Sequence, residues 1–123
     1  LRYGTDFEDY YGRKEYAFDT VGGYYTVRLA VLEKLKEMKK QASVLALRFI
    51  SEEYTMPLGV WVTREAARKA VANKPIEFLS KELMLEYARK IIKKKFNCNA
   101  DYLLNASILL KSIKQQTKLV NFL

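Results

Sequence analysis

No histidine occurs anywhere in this sequence, and Cys98 is its lone cysteine. A serine–histidine–aspartate triad and a cysteine–histidine dyad are therefore excluded within the chain. A disulfide framework and a cysteine/histidine zinc site go with them. Nothing near Cys98 in sequence would activate its thiol, so it reads as a small packed residue. Long apolar runs are also missing. None approaches the ~20 residues that span a bilayer, and no signal-peptide pattern is visible, so no membrane partner is expected. The chain starts at Leu1 and not at a methionine, and is read as a segment of a longer protein.

Half of the residues are apolar or aromatic, enough to supply a core, and 123 residues suit one domain. Formal net charge is +8 and unevenly spread. The first stretch holds Asp6, Glu8, Asp9, Glu15 and Asp19 against Arg2, Arg13 and Lys14, and the rest is basic. A basic body points toward a polyanionic partner, although solvated lysine faces are common.

Residues 1–20 carry Tyr3, Phe7, Tyr10, Tyr11, Tyr16 and Phe18 with no lasting period. This reads as an irregular arm packing through its rings, in preference to a stacking platform for single-stranded nucleic acid, because its carboxylates repel phosphate. Asp6, Glu8 and Asp9 offer oxygen ligands for a hard cation, but an acidic cluster without a scaffold is usually just solvated. No catalytic residue, cofactor or metal site is assigned, and enzymatic activity is left open.

Tyr24, Val27, Val31, Leu32, Leu35 and Met38 recur at helical spacing, with Asp19 or Thr20 as the expected cap. Val44–Ile50 is short and nearly continuous in apolar residues, which predicts a buried strand. Arg48 within it calls for an ion pair, for which Glu65 is a candidate. After a polar turn over Ser51–Pro57, Leu58–Val62 reads as a second strand. Thr63 then caps a helix turning Ala66, Ala67, Ala70 and Val71 inward. Ser80 with Glu82 starts a further helix to about Lys95, stopped by Asn97 and Asn99. Its stripe is Met84, Tyr87, Ala88, Ile91 and Ile92. A last helix from about Ala100 buries Leu103, Leu104, Ile108 and Leu110. The expected fold class is α+β: a mostly helical single domain with a small two-stranded β element. The expected organisation is an arm over 1–20, a core domain over 21–113 and a tail over 114–123. Arg64, Arg68, Lys90, Lys93, Lys94 and Lys95 are the candidate nucleic-acid contacts.

The chain closes on Gln116-Thr117-Lys118-Leu119-Val120-Asn121-Phe122-Leu123. Glutamine, an aliphatic and an aromatic at intervals of three resemble the motif that tethers replication and repair proteins to the sliding clamp, PCNA. The resemblance implies that Leu119, Phe122 and Leu123 form an apolar plug and that Gln116 enters a polar side pocket. Leu123 departs from the second aromatic often found there, which weakens the plug. The same spacing suits a helix that runs on from Leu109, Leu110 and Ile113 into the domain's own core. The terminal position and the polar run Lys114–Lys118 favour the clamp.

Two further runs carry a wider resemblance: Asp19-Thr20-Val21-Gly22-Gly23-Tyr24-Tyr25-Thr26-Val27-Arg28-Leu29-Ala30-Val31-Leu32, and Met56-Pro57-Leu58-Gly59-Val60-Trp61-Val62-Thr63-Arg64-Glu65-Ala66. With the order of segments and the closing motif, they resemble the carboxy-terminal domain of the archaeal Nre DNA-repair proteins over most of the chain. The resemblance implies the carboxy-terminal part of a longer protein, a cytoplasmic, nucleoid-associated place in DNA repair, and clamp binding through Gln116, Leu119, Phe122 and Leu123. It implies as partners the clamp, the missing amino-terminal region and, through the basic surface, DNA. It supplies no reaction for these residues. The alternative is a basic nucleic-acid-binding module whose last segment is structural.

Overall fold

Helical spacing is met first where it is longest. In the computed structural model, which describes residues 3–50 and 60–113, α1 spans Gly22–Met38 and α2 spans Val60–Ala72. The two helices pack against each other. Their buried side chains are small: Thr26 and Ala30 on α1, Thr63 on α2. Ala67 and Val71 continue the α2 stripe half-buried at intervals of four, while Ala66 and Ala70 face solvent. The Thr26 hydroxyl donates to the Gly23 carbonyl at 2.9 Å, which satisfies a polar group at a buried position.

The N-cap residue of α1 is Val21, one position beyond the expected Asp19 or Thr20, and it makes no side-chain cap hydrogen bond. Val21 sits at φ 45°, ψ −118°, in a turn closed by the Gly23 N–H donating to the Thr20 carbonyl at 3.0 Å. Glycine is the ordinary choice for that conformation, so a β-branched valine there is strained. At the other end Lys39 is left-handed, and the Lys40 N–H returns to the Leu35 carbonyl at 3.1 Å, a Schellman closure made without glycine.

No strand occurs among the described residues, so the α+β class with a two-stranded element is overturned: the described fold is helical. Residues 41–50 carry no regular structure, and Val44, Leu45 and Ile50 are exposed. A strand needs a ladder partner, and the expected one is used otherwise. Val60, Trp61 and Val62 form the opening turn of α2, and Thr63 lies buried inside that helix rather than capping it. The polar turn over Ser51–Pro57 and the start of the second run, Leu58 and Gly59, lie outside the described residues.

Ser80 starts α3, Lys81–Phe96, as its sequence suggests: its Oγ accepts the Leu83 N–H at 3.2 Å. Leu85, Ala88 and Ile91 are half-buried along one side and Ile92 is fully so. Asn97 ends the helix in the left-handed region, with its N–H on the Lys93 carbonyl at 3.0 Å. The Asn99 carboxamide oxygen then accepts the Asp101 N–H at 2.9 Å, and α4 follows over Asp101–Ala106. The single last helix expected from Ala100 is interrupted. Ser107 takes extended backbone and closes α4 through its N–H to Leu104. Its hydroxyl then accepts the Leu110 N–H at 3.3 Å, and residues 108–113 are helical again. Leu104 is buried, Leu103 and Leu110 are half-buried, and Ile108 is exposed.

The chain gathers into two units. Glu8–Lys74 forms one around α1 and α2, with Ala17, Thr26, Ala30 and Thr63 at its centre. Of the described residues, 3–7 together with 75–113 form the other, with Ile92, Ala100, Leu104 and Ser107 at its centre. Among the described residues no helix is long and apolar enough to cross a membrane.

Candidate functional site

In the α1–α2 unit, side chains of the arm and α1 converge on one carboxylate. Tyr24 and Arg28 stand one turn apart on α1 and so share a face. Arg28 grips Glu8 through two bonds, Nε to Oε2 at 2.8 Å and Nη2 to Oε1 at 3.1 Å. The Tyr24 hydroxyl donates to Glu8 Oε2 as well. The Arg13 guanidinium lies 5.2 Å from the centre of the Tyr24 ring. The Arg28 and Tyr24 donors hold the Glu8 carboxyl below its usual range. Burial first, and the bond to Glu8 second, push the Tyr24 phenol up to about 12. The neighbouring Tyr25 accepts the Ala17 N–H at 3.0 Å and stacks on Tyr16 at 4.6 Å.

Tyr24, Tyr25 and Arg28 thus fasten the arm to α1, a role that reading along the sequence did not assign. The available signal was tyrosine and arginine at an interval of four beside an arm rich in rings and carboxylates. Glu8 is engaged by that clasp, and Asp9 accepts the Tyr11 N–H at 2.9 Å. Among the described residues no three histidine, cysteine, aspartate or glutamate side chains come together in a way that could hold a metal. The arm buries part of its aromatic surface and leaves much of it outside, with Tyr10 and Tyr11 86% and 89% exposed.

The same unit holds Arg64 and Arg68 on α2. Arg68 is drawn to carboxylates, at 3.3 Å from Glu33 and 3.9 Å from Glu65. Arg64 is half-buried, and its Nε is buried with no hydrogen-bond partner. Arg48 does not use Glu65 as its described partner. Its Nη1 lies over the start of α1, 3.3 Å from where a Cβ on Gly23 would stand.

In the other unit, Lys90, Lys93, Lys94 and Lys95 occupy the last two turns of α3. The left-handed turn at Asn97 folds the chain back, so that Cys98, Asn99, Ala100 and Asp101 face the end of the helix. Between them lies an open depression of about 450 Å³, lined also by Arg89, Lys90, Lys93 and Lys94. Arg89 is held by Asp101 at 2.8 Å and Lys90 by Glu86 at 3.3 Å. Among the described residues no carboxylate pairs with Lys93, Lys94 or Lys95. Cys98 is half-buried beside the Tyr102 hydroxyl at 3.9 Å, a contact that raises the phenol's pKa. The clamp-motif residues Gln116, Leu119, Phe122 and Leu123 lie outside the described residues.

Comparison with known proteins gives a family. A family model described as archaeal Nre, C-terminal, matches residues 8–122. DNA repair protein NreA of Archaeoglobus fulgidus is 45% identical over 92 residues, covering 75% of this chain and 23% of that protein. DNA repair protein NreB of the same organism is 37% identical over 114 residues, covering 92% and 28%. DNA repair protein NreA of Haloferax volcanii is 46% identical over 66 residues, covering 54% and 16%. The chain spans about a quarter, or less, of the length of these relatives. No solved structure matches it.

Proposed function

The chain belongs to the archaeal Nre family, as its carboxy-terminal domain, and on that premise we propose that it is a DNA-repair accessory domain tethered to the sliding clamp by its last eight residues. Two things support the reading. The relatives that match along the chain carry the name DNA repair protein. The sequence itself closes on Gln116, Leu119, Phe122 and Leu123 at clamp-motif spacing, and that spacing is the observation that carries the proposal.

The mechanism is recruitment rather than chemistry. On the clamp, one helical turn would set Leu119, Phe122 and Leu123 on one side as an apolar plug. At about 1.5–3 kcal/mol for each buried side chain, three of them supply roughly 5 kcal/mol or more before ordering costs. Gln116 brings both a donor and an acceptor to a polar side pocket and fixes the register. Lys111, Lys114 and Lys118 steer the segment toward an acidic clamp surface. Tethering then raises the local concentration of the attached domain at DNA, and with it any activity residing in the rest of a longer protein.

Titration calorimetry against a purified archaeal clamp tests this directly. The wild-type chain should bind at micromolar affinity. A Phe122→Ala, Leu123→Ala variant should lose detectable binding while keeping its circular dichroism spectrum. If neither chain binds and the variant unfolds, those residues belong to the domain's own core and the tether is refuted; a folded wild type that does not bind refutes the tether alone.

A further inference from the structure

The lysine-rich end of α3 carries more positive charge than its own fold uses. A helix C-terminus presents about half a negative charge, which one nearby cation offsets. Lys93, Lys94 and Lys95 place three cations in that last turn. The fixed pairs lie beside them: Arg89 is occupied by Asp101 and Lys90 by Glu86. Asp101, the one carboxylate lining the depression, is turned to Arg89 at 2.8 Å. What remains is an open depression edged by Lys93 and Lys94 and lined also by Cys98, Asn99 and Ala100.

We propose that this depression, between the end of α3 and the turn at Cys98–Asp101, is a binding site for the phosphate backbone of duplex DNA. The charge fixes the sign of the ligand, and the lining fixes its class. Lysines act as point charges with rotatable donors, suited to phosphate oxygens and indifferent to base sequence. No aromatic side chain lines the depression, so the stacking that holds unpaired bases is missing, and single strands gain nothing there. Arg64 and Arg68 are not part of this site. Arg68 already has carboxylate partners, and both belong to the α1–α2 unit. The proposal rests on the DNA-repair reading only in choosing DNA among polyanions, and it is independent of the clamp tether.

The test is fluorescence anisotropy with a labelled duplex and the 123-residue chain, titrated across a series of salt concentrations. Each phosphate neutralised contributes about 0.9 to the slope of log K against log salt. Lys93→Gln with Lys94→Gln should lower that slope by ~1.8 and weaken binding at least tenfold at 0.1 M salt. Lys93→Arg with Lys94→Arg should keep it, which separates charge from damage to the helix. Lys36→Gln with Lys40→Gln removes the same net charge from the end of α1 and the turn after it, and should leave the slope within about half a unit. An equal loss in that control makes the effect one of net charge and overturns the site. So does tighter binding of the single strand than of the duplex, or an unchanged slope in the first variant. Phe122→Ala with Leu123→Ala should leave duplex binding intact, so failure of the tether and failure of this site are read separately.

Discussion

Tyr24 ties the arm to α1 through both its hydroxyl and its ring. Its hydroxyl and the Arg28 guanidinium share Glu8, and the Arg13 guanidinium faces its ring. Tyr24→Phe removes one hydrogen bond to a charged acceptor and leaves the ring contacts. With Arg28 44% exposed, solvent screens part of the clasp, so the expected cost is about 1 kcal/mol. Its pH dependence has two limbs. The Glu8 carboxyl is depressed in the folded chain. Its contribution is therefore complete above the unfolded value of about 4.3 and is lost as pH falls through the folded value. The Tyr24 phenol is raised to about 12. Its contribution is complete below the unfolded value of about 10 and is lost as pH rises through about 12. Denaturation midpoints followed against pH should show Glu8→Gln flattening the acid limb and Tyr24→Phe the alkaline one. Unchanged limbs in both variants would mean that the clasp does not hold the arm in solution.

At the scale of elements, the helix with the most local signals was the most legible. Ser80 as cap, Glu82 in the first turn and Asn97 as stop all act within a few residues of one another, so α3 can be read without knowing what it packs on. Ser80→Ala removes the acceptor for the Leu83 N–H and should cost about 1 kcal/mol. Ser80→Asp should restore most of that, since aspartate caps as well and faces the positive end of the helix dipole. A melting temperature unmoved by either change would show that the cap is fully replaced by water. The expected two-stranded element failed for the opposite reason. A run such as Leu58–Val62 is too short for its period to separate strand from helix, and only its surroundings decide. Val60–Val62 joins the Ala-rich segment behind it, and Thr63, apt as a cap, is instead the buried residue of the α2 stripe. The arm's clasp was hidden likewise, because Glu8 and Arg28 are twenty residues apart and no local pattern links them. The basic depression was half visible: its lysines stand in one run, but the wall formed by Asn99–Asp101 depends on the left-handed turn at Asn97.

For the whole molecule, a net charge of +8 makes any acidic partner attractive at low salt. Weak binding to the clamp or to DNA would on its own prove little, and ionic strength separates the two. Duplex binding through Lys93 and Lys94, which have no carboxylate partner among the described residues, should follow a slope near −1.8, at about 0.9 per phosphate. Raising salt from 50 to 200 mM should then weaken it about 12-fold. Clamp binding through Leu119, Phe122 and Leu123 relies on apolar burial, which salt does not screen, and only the steering by Lys111, Lys114 and Lys118 should fade. Its affinity should fall by a few-fold at most over the same range. Calorimetry on the clamp and anisotropy on the duplex, run at matched salt, provide the comparison. Parallel steep losses would show that charge alone holds both partners, and the apolar plug would be refuted even if the tail variants had weakened binding.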